Sequence, residues 1–262
     1  MDLGLKDKVI IVSGGAKGIG HGIVSVLAAE GAIPVIIGRD EQDNKSVIAE
    51  IEAQGGKAFQ VVAELSQPEE CEKAVRLTME QFGRVEGLVN NAGFNDGVGL
   101  ENGSYEKFMA SLHNNLTHYY LLAHYVLPAL KESKGAIVNI SSKTAETGQG
   151  GTSAYAAANG GRNALTREWA VELAKYSIRV NAIIVAESWT SAYEKWIKTL
   201  PNPEEKLTEI KSRIPLGNRM TTPEEIANTT AFLLSERTSH TTGQLIHVDG
   251  GYVHLDRAMA NA

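Results

Sequence analysis

Only one cysteine, Cys71, occurs in 262 residues. A single thiol excludes an intrachain disulfide and a metal site built from several cysteines, and no metal site is expected. Cys71 itself reads as a small core residue on a helix rather than a nucleophile. Positive charge is also in deficit: 25 Lys and Arg face 31 Asp and Glu, a formal net charge of −6. That balance argues against a nucleic-acid surface. No apolar run approaches the roughly 20 residues needed to span a bilayer, and residues 1–8 carry no apolar signal segment. A cytoplasmic protein with neither membrane nor nucleic-acid partner is expected. Repeats, low-complexity tracts and linkers are missing too, so residues 1–262 are expected to form a single domain.

What the chain does have is a sizeable apolar fraction, 43%, and one informative glycine cluster. Val9 to Val12 is a short apolar run of the kind buried on both faces of a sheet. Gly14, Gly18 and Gly20 follow, and residues 21–30 read as a helix with Ile23, Val26 and Leu27 on one stripe. Strand, glycine turn and helix N-terminus together form an anion site, because unpaired N–H groups meet a backbone that a pyrophosphate can approach. A lone glycine triplet would mark no more than a tight turn; its position between a strand and a helix points to a dinucleotide.

Apolar segments and amphipathic ones alternate along the rest of the chain. Strands are expected at 9–12, 34–37, 58–62, 87–90, 136–140, 179–184 and 244–248, and further helices at 41–54, 68–82, 105–131, 154–175 and 223–234. This βαβ rhythm implies an α/β fold with a doubly wound parallel sheet of about seven strands, helices lying on both faces. The longest break, 187–222, carries Trp189, Tyr193, Trp196, Pro201, Pro203 and Pro215. Its place after the sixth strand is the ligand edge of such sheets, so it reads as a substrate lid, helical in parts, or else as a packing flap.

These motifs resemble the short-chain dehydrogenase/reductase family along essentially the whole chain. Ser13-Gly14-Gly15-Ala16-Lys17-Gly18-Ile19-Gly20 is similar to the family's glycine turn, with Ser in place of Thr. Asn90-Asn91-Ala92-Gly93, Asn115, Ser142 thirteen residues before Tyr155, Arg179-Val180-Asn181-Ala182 and Val248-Asp249-Gly250-Gly251 follow in the family's order. The resemblance implies a Rossmann-type fold and a cofactor site at Gly14, Lys17, Gly18, Ile19, Gly20, Arg39, Glu64, Leu65, Asn91, Ala92, Gly93, Tyr155 and Asn159. Within the family the likeness is to bacterial sugar dehydrogenases, carried by stretches such as Asn95-Asp96, Ser142-Lys143-Thr144-Ala145 and Gly148-Gln149-Gly150. It implies oxidation of an aldose such as L-fucose at C1 to the lactone.

The resemblance gives the substrate's proton to Tyr155, a hydrogen bond on the substrate oxygen to Ser142, and a relay water to Asn115. The fourth catalytic member, a lysine four residues after the tyrosine, is here Asn159. An amide can hydrogen-bond a ribose but carries no charge to favour phenolate. Restoring the charge with Asn159→Lys is therefore expected to raise turnover at neutral pH by about 10- to 1000-fold, the effect of a nearby cation on an ionisation. Lys143 and Arg162 are the nearest alternative cations, and both read as ordinary solvated or interface charge. Val185-Ala186 stands where the family has Pro-Gly, and Glu64 where it has Asp.

Arg39, at the end of the second strand, and Lys17 suit a 2′-phosphate, so NADP is the expected cofactor, with NAD open through the adjacent Asp40. Asn95, Gln149 and Glu187 are expected to line a sugar pocket with Ser142 and Tyr155, or else to cap loop backbone. Adjacent Gly160 and Gly161 imply something packed closely on their helix, either the cofactor side of the sheet or a partner helix. By resemblance the chain is a homo-oligomer, a tetramer, with residues 252–257 near a neighbour. Three functions remain: an active sugar dehydrogenase, a cofactor-binding relative weakened by the missing lysine, or a structural oligomer. The retained Tyr155, Ser142 and Asn115 argue against the last.

Overall fold

The apolar run at 9–12 extends by one residue into β1 (Val9–Ser13), buried from end to end. The computed structural model describes residues 1–255; Asp256 and Arg257 of the segment expected beside a neighbour lie outside them. The chain continues through α1 (Gly18–Ala29), β2 (Ile33–Gly38), α2 (Glu41–Ala53), β3 (Phe59–Val62), α3 (Pro68–Phe82) and β4 (Gly87–Asn90). Then come α4 (Tyr105–Leu112), α5 (His118–Ser133), β5 (Ala136–Ser142), α6 (Ser153–Ala174) and β6 (Arg179–Val185). The remainder is α7 (Ser191–Ile197), α8 (Pro203–Ser212), α9 (Pro223–Leu234) and β7 (Leu245–Val248).

The seven strands form one sheet in the order β3-β2-β1-β4-β5-β6-β7, every pair parallel. Two apolar clusters pack on its opposite faces. One joins Val9, Ile11 and Leu88 to α3, α5 and α6; the other joins Ile10, Val12 and Val89 to α1 and α9. Alternate residues of β1 thus enter different cores, which is why its strand reads as a continuous apolar run. The strand order reverses between β1 and β4, and the crevice outside their carboxyl ends is the ligand position in such sheets.

Several helix starts follow from single residues. Asp40 accepts a hydrogen bond from the Asp43 N–H at 3.0 Å and caps α2. Pro68 and Pro223 begin α3 and α9, and Thr222 and Glu225 close a capping box on α9. The expected helix at 105–131 is not continuous. A π-helical turn, His113–Thr117, separates α4 from α5 and carries Asn115. Periodicity of 3.6 runs through such a turn without a visible break, so apolar spacing could not reveal it.

The insert after β6 holds α7 and α8, so it is helical in parts as expected. Its base is closed by a parallel bridge between Ser188 and Thr221, where the Trp189 N–H donates to the Thr221 carbonyl at 3.0 Å. Trp189, Trp196 and Leu216 remain exposed on it. Among the described residues no helix is long and apolar enough to cross a membrane.

Candidate active site

Serine at position 13 suits the glycine turn. Its Oγ accepts the N–H groups of Asn91 at 2.9 Å and Ala92 at 3.1 Å, tying the end of β1 to the loop after β4. The Asn91 amide donates to the carbonyls of Ser13 and Gly14 at 3.0 and 3.2 Å. Gly20 passes so near this turn that a Cβ on it would lie 2.0 Å from the Gly14 carbonyl oxygen. Lys17 precedes α1 without making a side-chain cap, so the first-turn N–H groups have no side-chain partner there.

From this turn a cavity of about 640 Å³ runs along the carboxyl edge of the sheet. Gly14, Lys17, Gly18, Ile19, Arg39, Glu64, Leu65, Asn91, Ala92 and Gly93 line it, and so do Ser142 and Tyr155. Arg39 donates to Glu64 at 3.5 Å, while Lys17 pairs with Asp43. Asp40 is held at its cap, its carboxyl lowered by the Asp43 backbone hydrogen bond despite opposing desolvation. Among the cavity-lining side chains, Ser188 Oγ is buried without a hydrogen-bond partner among the described residues.

At the catalytic end Ser142 closes β5, and its Oγ accepts the Thr144 N–H at 3.3 Å. Tyr155 lies half-buried in the first turn of α6. Asn115 is fully buried on the π turn. Its side-chain oxygen accepts the Phe94 N–H at 2.8 Å and its amide donates to the Ser111 carbonyl at 3.1 Å. The Asn115 backbone carbonyl is the free arm, and it accepts Nε of Arg162 at 2.7 Å together with Nη2.

The charge at this end differs from the sequence expectation in two places. Arg162 is not solvated. It is 2% exposed, lines the cavity, and its Nη1 donates to the Ile140 carbonyl at 3.1 Å and to Asn159 Oδ1 at 2.9 Å. Side chains of a helix tilt toward its N-terminus, so a long arm at 162 returns to the level of 159. Lys143 is not solvated either: it is 7% exposed, pairs with Glu187, and stands 4.1 Å from the Tyr252 ring centre.

Asn159 is fully buried and is not among the cavity-lining residues. Its Nδ2 donates to the Tyr155 carbonyl at 2.8 Å and its Oδ1 is taken by Arg162. Both ends of the amide are used inside the protein, which speaks against the expected ribose contact. It also undercuts the expected benefit of Asn159→Lys, since an ammonium there would face the guanidinium. Of the residues expected at a sugar, Glu187 is half-buried between Lys143 and Tyr193, whose hydroxyl donates to it at 2.8 Å. Asn95 and Gln149 are exposed and do not line the cavity; Asn95 caps its own loop, accepting the Gly97 N–H at 3.1 Å.

Sequence reasoning did not single out His118, Ser188 or Thr190 as lining residues. His118 sits between the carbonyls of Ala92, 3.1 Å from Nε2, and His113, 3.5 Å from Nδ1. Burial, helped by the Arg162 charge, lowers its pKa to about 4, so it is neutral near pH 7. Cys71 is the core residue expected; burial pushes its thiol up to about 12. Gly161 packs on Leu116 of the π turn, within the chain, whereas Gly160 has open space beside it.

A nicotinamide dinucleotide fits these residues. The glycine turn lines the cavity and opens α1 without a side-chain cap, the Ser188 hydroxyl lacks a partner among the described residues, and Tyr155 and Ser142 line the same cavity.

A family model described as Enoyl-(Acyl carrier protein) reductase matches residues 14–253. The chain is 36% identical to the 3-oxoacyl-[acyl-carrier-protein] reductase FabG of Thermotoga maritima, over 95% of this chain and 99% of that one. It is 34% identical to the L-fucose dehydrogenase of Bos taurus, over 97% and 93%. Among solved structures, Cj0485 dehydrogenase superposes with a TM-score of 0.93 at 48% identity, covering 99% of each chain. Levodione reductase gives 0.91 at 32% identity, over 96% and 100%.

Proposed function

Since the chain belongs to the short-chain dehydrogenase/reductase family, we propose that it is an NADP-dependent dehydrogenase that oxidises an aldose such as L-fucose at C1 to the lactone. One observation carries the dehydrogenase reading: Tyr155 and Ser142 line the same cavity as the glycine turn. When bound, the nicotinamide supplies the hydride acceptor. Tyr155 Oη takes the proton from the substrate hydroxyl, and Ser142 Oγ hydrogen-bonds the same oxygen and fixes its place.

The sugar reading rests on the polar cluster next to Ser142. Lys143, Glu187 and Tyr193 are tied together, and Tyr193 lines the cavity. Burial raises the Tyr193 hydroxyl and Glu187 raises it further, so it stays a donor. Fixed donors and acceptors of this kind reward a ligand with several hydroxyls, since each is costly when left unpaired. NADP is favoured over NAD because Arg39 and Lys17 line the cavity while Asp40 is committed to its cap.

The protein assembles as a homo-oligomer, a tetramer by resemblance. Tyr120 on α5, Val171 on α6 and Phe232 on α9 are exposed apolar side chains available to neighbouring copies.

Steady-state assays with several aldoses, 3-oxoacyl thioesters and both cofactors test this function. Reduced nicotinamide formed with an aldose supports it. Turnover confined to 3-oxoacyl thioesters would assign the specificity of the FabG relatives instead, and cofactor binding without turnover would assign a weakened binding protein.

A further inference from the structure

Arg162 is a buried cation whose partners are all uncharged. Its four hydrogen-bonded acceptor contacts go to the Asn115 carbonyl, the Ile140 carbonyl and Asn159 Oδ1. Among the described residues it makes no ion pair. Its guanidinium carbon lies 4.2 Å from the Tyr119 ring centre and 6.0 Å from that of Tyr155. Removing a cation from water without a carboxylate is costly, and dipoles and ring faces offset only part of that. The charge is therefore not neutralised where it stands, and it stands at the cavity wall with Tyr155 and Ser142.

Two neighbours are shaped around it. A Cβ on Gly93 would fall 2.7 Å from Nη2 and press on this guanidinium, which glycine leaves in place beside the loop after β4. Asn159 accepts from Nη1 and is itself fixed by the Tyr155 carbonyl. A guanidinium has five N–H donors in a rigid fork. Four are taken up by these contacts, leaving one hydrogen on Nη2.

We propose that Arg162 supplies the positive charge that Asn159 lacks, stabilising the Tyr155 phenolate that accepts the substrate's proton and offering its remaining Nη2 hydrogen to a cofactor ribose hydroxyl. This rests on the dehydrogenase reading of Tyr155. Asn159 is then a positioning residue, which aims the guanidinium and does not touch the cofactor. The charged and titratable groups facing Arg162 are few. Tyr119 comes from α5 and is pushed upward by burial, against the opposing pull of Arg162. Tyr155 is on its own helix. His118, neutral near pH 7, packs edge-on against Tyr119 at 4.9 Å between ring centres. Glu64 acts on His118, more weakly than its other neighbours.

The test compares Arg162→Gln, Arg162→Lys and the double variant Asn159→Lys with Arg162→Gln. Each is measured for melting temperature, NADP affinity by fluorescence titration, and the pH dependence of aldose oxidation. Arg162→Gln is expected to melt cooperatively, bind NADP more weakly, and lose about 10- to 1000-fold in rate at pH 7, recovering as pH rises. Arg162→Lys should keep the parent's pH profile, and the double variant should regain a neutral-pH rate. A folded Arg162→Gln protein with unchanged pH profile and NADP affinity would overturn the proposal. Should Arg162→Gln not fold, an alkaline-shifted profile for Arg162→Lys would overturn it equally. Tyr155→Phe is assayed beside them: full activity there would refute the dehydrogenase reading itself, whatever Arg162 does.

Discussion

Asn159 Oδ1 accepts a hydrogen bond from Arg162 Nη1 at 2.9 Å, and this contact reorganises the charge of the site. By resemblance the asparagine stands where the family carries a lysine, and its partner three residues later in the sequence is a cation held at the same level of α6. A polar residue that can accept, rather than another donor, is what such an arginine needs beside it.

Tyr155→Phe is expected to lower turnover by about 10²- to 10⁴-fold, the usual worth of a placed acid–base group. Ser142→Ala should lower it by a similar or smaller factor. NADP affinity should be little changed in either, because the proposed roles of both hydroxyls are on the substrate oxygen. Single-turnover rates beside nucleotide titrations separate the two effects; loss of nucleotide binding alone would contradict the assignment.

Much of this was legible in the chain. Seven apolar runs marked seven strands, most plainly the inner ones, whose two faces are both buried, while β3 and β7 lie at the sheet edges and are only partly buried; Pro68 and Pro223 marked helix starts directly. The π turn was not legible, since Asn115 interrupts no apolar period. Nor was the inward course of Arg162: its distance along the helix suggested a group too far from Tyr155. The available signal was a coincidence of three features, an asparagine in the lysine's place, an arginine on the same face, and Gly93 opposite. The positions of Asn95 and Gln149 depend on loop geometry after β4 and β5, which residue type does not determine.

Arg39→Asp should shift the cofactor preference from NADP towards NAD. On the NADP reading it would remove a charge-assisted contact to the 2′-phosphate worth about 1.5–3 kcal/mol, roughly a 10- to 100-fold change in NADP affinity. Glu64→Gln should act oppositely and more weakly, because it frees Arg39 from a 3.5 Å contact. Titrations of both nucleotides check this; tighter NAD binding in the parent would sink the NADP assignment.

Lys143→Met should destabilise, because it removes the cation beside half-buried Glu187 and leaves that carboxylate only the Tyr193 hydroxyl; the cost is expected below the roughly 3–5 kcal/mol of breaking a fully buried pair. Adding Glu187→Leu should recover part of that loss while still raising the KM for sugar. Asn95→Ala should instead leave the KM unchanged and cost a little stability, as a loop cap does. Melting curves and KM values on the same variants discriminate the two roles.

Glu225 carries an acid-sensitive part of the stability. Its hydrogen bond with Arg219, then that with the Thr222 backbone, lowers its pKa from 4.5 to about 2. A carboxyl lowered on folding stabilises fully above its ordinary value, and that contribution is lost as pH falls from about 4.5 towards 2. Glu225→Gln should therefore lower the melting temperature at pH 7, by about 2–4 °C for each kcal/mol lost in a chain of this size. The gap between variant and parent should close in acid. A gap that persists at pH 2 would contradict it.

The most direct test of the charge at the site is the pH dependence of aldose oxidation in the parent and in Asn159→Lys. With Arg162 supplying the charge, the parent already turns over near pH 7. Asn159→Lys is then no faster there and melts at lower temperature, because its ammonium faces the guanidinium. A parent rate that climbs steeply only at alkaline pH, together with an Asn159→Lys variant about tenfold or more faster at pH 7, would contradict this and leave the site short of the charge it needs.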